Sequence, residues 1–230
     1  MVRTFLLLGS GEFEDWTHDV EAKALAGAVG DGSVVILPTA SSTEGDHVFE
    51  RWGSMGLAHY RVSGVPAEVL PVKTRADAND DGLASRAGAA SMIYFSGGKP
   101  RHLADVLRGT PLLASILGAV DRGAVYAGCS AGAMVASRSR EEGGGVSWLA
   151  GLGLIPHVSF GVHWDRVRRY PGASWFAAAR MPAGSTFVGI DERTAILGDG
   201  ARWEVHGLGS VQVRRDGADD SYGAGATFTT

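Results

Sequence analysis

Short, unbroken apolar runs recur along the first half of this 230-residue chain, each followed by a small polar or glycine-rich turn. The first covers residues 4–8 and stops at Gly9-Ser10-Gly11-Glu12-Phe13. Others cover 33–37, 91–95 and 124–127, and 67–72 is a further strand candidate. Runs of this length with no polar alternation predict strands buried on both faces, the pattern of a parallel sheet. Between them the apolar residues return at helical spacing. Val20, Ala24, Leu25 and Ala28 predict a helix over 17–29 that stops at Gly30, and Val48, Phe49 and Trp52 predict one over 44–57, with Gly53 and Gly56 weakening its end. Further helices are expected over 76–90, with Asp77, Asn79 or Asp80 as N-cap, over 101–108, and over 111–120 with Pro111 at its first position.

Strand and helix in strict alternation predict an α/β fold, a doubly wound, mostly parallel sheet with helices on both faces, whose ligands bind beyond the carboxyl ends of the strands. After residue 137 the pattern changes. Residues 138–145 are polar and glycine-rich, 149–156 return to the core, and from Thr186 short strands alternate with Gly198-Asp199-Gly200 and Gly207-Leu208-Gly209, as antiparallel C-terminal edge strands would. We expect residues 1–230 to form one domain, with about 216–230 as a small, polar surface tail.

Composition adds limits. Hydrophobic residues are 45% and charged residues 20% of the chain, a globular balance, and the 34 glycines suit many tight strand-to-helix turns. A net charge of −4 gives no general attraction to nucleic acid or anionic membrane, so neither is expected as a partner. Cys129 is the chain's single cysteine and can form neither an internal disulfide nor a thiolate metal cluster, so a reducing cytoplasm is the expected setting.

The chemistry concentrates at Gly128-Cys129-Ser130-Ala131-Gly132, at the junction of a buried run and a helix. G-x-S-x-G at such a junction is a nucleophile elbow, a tight turn that lifts the serine Oγ clear of the sheet, with glycines where a Cβ would meet backbone. Ser130 is the candidate nucleophile. His157, His163 and His206 follow it, and His163 is chosen as the base, where the chain leaves an apolar stretch, with His157 the rival. For the acid, the order serine, acid, histidine points to Glu142, with Glu141, Asp165, Asp191 and Glu192 as alternatives. The N–H of Ala131 and that of Gly98, on the loop after a neighbouring strand, suit an oxyanion hole. Arg169, with Arg166 and Arg168, could hold a substrate carboxylate or form a solvated basic face. Gly9-Ser10-Gly11 lacks the continuation of a phosphate-binding loop, so no nucleotide, metal or other cofactor is expected.

Phe95-Ser96-Gly97-Gly98, the elbow block through Ala133, Gly151-Leu152-Gly153-Leu154-Ile155-Pro156, His163 and Gly189-Ile190-Asp191-Glu192-Arg193-Thr194-Ala195 resemble, in order, the dipeptidase E and cyanophycinase family of serine peptidases. The resemblance runs from about Leu6 to Val213. It implies a fold like the class I glutamine amidotransferases, with Ser130 as nucleophile, His163 as base and Gly98 and Ala131 as oxyanion donors. Cys129 lies one place too early to be the elbow cysteine of those amidotransferases and reads as a small buried residue. Cyanophycinases carry Gly-Gly-Asp-Gln in the first loop and Asp-Gln before the histidine. This chain has Gly97-Gly98-Lys99-Pro100 and Gly161-Val162, which points away from cyanophycin. The expected activity is therefore hydrolysis of amide bonds in short peptides, of exopeptidase or dipeptidase type, with a homodimer as the assembly to test. The alternatives are an esterase or non-peptide amidase, or a non-catalytic binding protein on the same fold.

Overall fold

The computed structural model describes residues 3–137, 151–172 and 184–230. Its centre is β1 (Thr4–Leu8), which pairs in parallel with β5 (Val125–Cys129) on one side. Beyond β5 the sheet continues in parallel through β4 (Met92–Phe95), β2 (Val34–Leu37) and β3 (Ala67–Val69). On the other side of β1 the pairing turns antiparallel, through β8 (Thr194–Gly198), β9 (Arg202–Gly207) and β12 (Thr227–Thr229). The mixed α/β fold with a mostly parallel sheet and antiparallel C-terminal edge strands is thus the observed one.

The unbroken apolar runs have the expected cause. Phe5 and Leu7 join the core on one face of the sheet, and Leu6 and Leu8 join the core on the other. The first core is closed by α3 (Asp81–Ala89), α4 (Pro100–Leu107) and α5 (Pro111–Arg122), which supply Ala84, Leu103, Leu107, Leu112 and Ile116. The second is closed by α1 (His18–Leu25) and α2 (Asp46–Val62), which supply Val20, Ala24 and Tyr60. Asp80 caps α3 by accepting the Leu83 N–H, and Thr110 caps α5 by accepting that of Leu113. The helix α2 runs through Gly53 and Gly56 to Val62, longer than its sequence suggests, because both glycines are buried against the sheet side of the helix.

Two differences from the sequence reading concern the C-terminal part. The strands after residue 157 do not all join the large sheet: β6 (Val158–Gly161), β7 (Thr186–Ile190), β10 (Ser210–Arg215) and β11 (Ala218–Gly223) form a second sheet of order β11-β10-β7-β6. Its inner residues Val188, Ile190, Val211 and Val213 pack into the same core as Phe5 and Phe95, so one hydrophobic core holds both sheets together. The segment read as a polar tail carries β11 and β12. Phe228, 5% exposed, stacks on Tyr222 at 5.2 Å, and that one aromatic contact with strand pairing outweighs the polarity of its neighbours. Among the described residues no single helix is long and apolar enough to cross a membrane.

Candidate active site

The carboxyl ends of β1, β4 and β5 lie side by side, since Leu8 is in register with Cys129 and Phe95 with Gly128. Ser130 follows β5 directly and opens α6 (Ala131–Val135), at φ 49° and ψ −105°. A side chain at positive φ is strained, and here the strain is held from both sides. The Ser130 N–H donates to the Leu8 carbonyl at 3.0 Å, and the Met134 N–H donates to the Ser130 carbonyl at 2.9 Å. A Cβ on Gly128 would stand 2.5 Å from the Gly132 carbonyl carbon, and one on Gly132 would stand 2.4 Å from the Phe95 carbonyl oxygen. The turn therefore closes only with glycine at both positions, as the motif predicts.

The histidine arrives from the other sheet. Strand β6 ends at Gly161, and His163, itself in the left-handed region at φ 50°, starts the short helix α7 (Trp164–Val167). Its Nε2 lies 3.2 Å from the Ser130 Oγ. His157 precedes β6 and so sits at the opposite end of that strand, lining a cavity with Arg3, Phe5 and Asp199.

A carboxylate meets the far ring nitrogen. Glu192, in the turn between β7 and β8, places Oε1 3.0 Å from the His163 Nδ1. A carboxylate only accepts, so Nδ1 carries the proton and Nε2 is left to accept from the serine hydroxyl. The Glu192 Oε2 is taken by Arg166 at 2.8 Å, and the Glu192 N–H donates to Asp165 at 2.9 Å. Asp191 is buried and turned away, accepting from the Ser210 N–H and hydroxyl and pairing with Arg168. Glu142, chosen from chain order, and Glu141 lie outside the described residues, and the place beside Nδ1 is filled by Glu192, which that order had ranked behind them. Arg169 is exposed, and among the described residues its side chain has no ion-pair partner, while Arg166 and Arg168 are committed to Glu192 and Asp191.

Ala131 and Gly98, read from the sequence as oxyanion donors, sit at the start of α6 and on the loop after β4. Ala131 is the first residue of α6, where helix geometry leaves the N–H without an internal acceptor. Gly98, at φ 141°, is exposed at the site, and a Cβ there would stand 2.4 Å from the carbonyl carbon of Ala40. Lys99 follows with its N–H bonded to the Ala40 carbonyl at 2.8 Å. Glu12, on the loop after β1, was passed over in the sequence. It is 5% exposed and accepts from the Gly97 N–H through Oε1 and from the Cys129 thiol through Oε2, each at 2.8 Å. Its only sequence signal is a charged residue between Gly11 and Phe13, directly beyond a buried strand. Burial, with the Glu12 carboxylate beside it, pushes the Cys129 thiol well above its ordinary range, so this cysteine is a packed neighbour of the serine and supplies no thiolate.

Residues 5–205 match the model of peptidase family S51. The chain belongs to that family. It is 30% identical over 205 residues to the cyanophycinase of Synechococcus elongatus, an alignment that takes in 84% of this chain and 61% of the cyanophycinase. The alignment takes in less than two thirds of that cyanophycinase, and 52% of the one from Trichormus variabilis. Over its full length it superposes on a peptidase from an acI-B1 Actinobacterium, with a TM-score of 0.88, 29% identity and 98% of that chain covered. A candidate Peptidase E protein from Listeria monocytogenes EGD-e shares the fold, at TM-score 0.66 and 18% identity over 90% of this chain and all of its own. The resemblance to the dipeptidase E and cyanophycinase family therefore holds.

Proposed function

We propose that this chain is a serine hydrolase that cleaves amide bonds of short peptides, as an exopeptidase or dipeptidase, through Ser130, His163 and Glu192. The observation that carries the reading is the continuous chain from the Ser130 Oγ to the His163 Nε2 at 3.2 Å and from Nδ1 to Glu192 at 3.0 Å, with the serine on a strained turn. That is the arrangement of nucleophile, base and orienting acid that acyl transfer requires. The same ordered pair counts against a binding protein without catalysis, because a strained serine aimed at an oriented imidazole serves no packing purpose.

The steps follow from the atoms. The Ser130 Oγ bonds to the scissile carbonyl carbon while its proton passes to the His163 Nε2. The carbonyl oxygen takes the negative charge, and the Gly98 and Ala131 N–H groups donate to it. Glu192 stabilises the imidazolium through Nδ1–H. The carbon–nitrogen bond then breaks as Nε2 returns the proton to the leaving amine, and water, deprotonated by the same imidazole, releases the acyl group from Ser130.

For substrate class, family membership supports a peptide amide, and Lys99-Pro100 and Gly161-Val162 in place of the polar residues of cyanophycinases favour a short peptide over cyanophycin. Arg169 is the arginine of this segment left to receive a substrate carboxylate. The test is labelling by a fluorophosphonate together with assay of a dipeptide library, using Ser130→Ala as control. Label and hydrolysis in the wild type, both absent from the variant, are the expected result; label that persists in Ser130→Ala excludes this nucleophile.

A further inference from the structure

Glu12 takes no part in the proton transfers above, yet its buried carboxylate touches both halves of the reacting centre. Its Oε1 accepts the Gly97 N–H and its Oε2 accepts the Cys129 S–H, so one side chain from the β1 loop ties the loop after β4 to the residue before the nucleophile. Gly97 lies between them: a Cβ built on it would stand 3.1 Å from the Glu12 Oε1 and 3.5 Å from the Ser130 Cβ. The bonds along this loop are arranged in sequence. The Gly97 N–H is committed to Glu12, and the Lys99 N–H to the Ala40 carbonyl. Only the N–H between them, that of Gly98, is left facing no protein acceptor among the described residues.

This matters because two consecutive glycines leave a peptide plane free to rotate. With Gly98 read as the oxyanion donor, rotation of the Gly97–Gly98 peptide would turn that N–H away and bring the carbonyl oxygen in, replacing a donor with an acceptor where negative charge develops. Anchors on the N–H before and the N–H after hold that plane in one orientation. Preorganised donors of this kind owe their effect to being fixed before the reaction.

We propose that Glu12 is a positioning residue for amide hydrolysis: by clamping Gly97 and Cys129 it fixes the Gly98 N–H against the Ser130 elbow. The proposal rests on the reading of Ser130 as nucleophile and of Gly98 as oxyanion donor. It requires an acceptor at Oε1 and tolerates loss of the negative charge, since an amide oxygen can accept the Gly97 N–H while the amide NH2 donates to the Cys129 Sγ with the thiol turned away, which keeps both ties.

The experiment compares wild type, Glu12→Ala, Glu12→Gln and Ser130→Ala by the rate of fluorophosphonate labelling and by kcat and KM on a dipeptide the wild type hydrolyses, with circular dichroism to establish folding. Glu12→Ala is expected to fold, to label about 10-fold to 100-fold more slowly and to lose kcat by a similar factor, with KM changed less than about threefold, because a displaced oxyanion donor costs transition-state binding and not substrate binding. Glu12→Gln should recover to within about threefold of wild type, which a role in charge balance alone would not allow, and the fall in kcat with KM nearly unchanged is what loosened packing alone would not give. Folded Glu12→Ala at the wild-type rate, or Glu12→Gln as slow as Glu12→Ala, overturns the clamp. If Glu12→Ala does not fold, Cys129→Ala removes the elbow half of the tie alone: a labelling rate lowered threefold or more supports the clamp, and the wild-type rate overturns it. Wild type that takes no label, or Ser130→Ala that still takes it, removes the nucleophile reading and Glu12's role with it, whereas a normal rate in Glu12→Ala removes the clamp alone.

Discussion

Glu192 follows His163 in the chain by 29 residues, and the turn after β7 returns its carboxylate to 3.0 Å from the His163 Nδ1. The order along the chain is therefore serine, histidine, acid. The proposed nucleophile and base come from different sheets, Ser130 from the end of β5 and His163 from the end of β6, and Glu192 comes from the turn that crosses from the second sheet back to the first. The relative placement of two sheets over one core thus sets the distances on which the proposed proton transfer depends.

Replacing Glu192 tests its place directly. Glu192→Gln should fold normally and lose about 10²-fold to 10⁴-fold in kcat, since the imidazole keeps neither its tautomer nor its stabilised cation. Glu142→Gln should stay within about threefold of wild type. Steady-state kinetics on the two variants side by side decide which carboxylate serves His163; a large loss in Glu142→Gln with little in Glu192→Gln reverses the assignment.

Arg166 holds the second oxygen of Glu192 at 2.8 Å while 69% of its own side chain is exposed. An exposed pair contributes little stability, so Arg166→Ala should leave the melting temperature within about 2 °C of wild type. Its effect should be on orientation, with kcat lowered about threefold to tenfold as Glu192 gains freedom to leave Nδ1. Raising the ionic strength should narrow the gap between wild type and variant, because salt weakens this pair in the wild type alone.

Gly98→Ala is expected to be damaging out of proportion to its size. The added carbon would lie 2.4 Å from the Ala40 backbone at a φ of 141°, so the loop must move. We expect a loss of about 1–3 kcal/mol in stability by chemical denaturation and at least about 10²-fold in fluorophosphonate labelling rate. A variant that labels at the wild-type rate would show that the loop does not supply an oxyanion donor.

The β8–β9 turn supplies a pH-dependent prediction. The Asp199 Oδ1 accepts the Ala201 and Arg202 N–H groups at 2.8 and 2.7 Å, and the bond from Arg202, with that from Ala201, holds its carboxyl below the usual value against partial desolvation. A lowered folded-state value means stability that is fully present above the unfolded value of about 3.9 and is lost as the pH falls through the lowered one. Asp199→Ala should therefore be less stable than wild type by roughly 0.5 kcal/mol, discounted for exposure, above about pH 5, and the difference should vanish toward about pH 2. Urea denaturation at the two pH values measures it; a gap that persists undiminished in acid would assign the effect to the turn backbone instead.

The sequence by itself determined the parts that rest on local chain physics. Unbroken apolar runs such as 33–37 and 91–95 can be satisfied only by burial on both faces, so the parallel sheet was legible without coordinates. The glycines around Ser130 exclude almost every geometry except a tight elbow, and Gly98 announced a close backbone approach. Tertiary structure alone decided what depends on distant segments meeting. Polarity suggested a tail where Phe228 anchors β12, and chain order suggested Glu142 where Glu192 fills the place beside the imidazole. A carboxylate carries no local mark of the partner it will meet, because its role is set by which loop end it faces after the two sheets pack on their shared core. Glu12 makes the same point: one buried acid between Gly11 and Phe13 gained its two donors only when β1, β4 and β5 ended side by side.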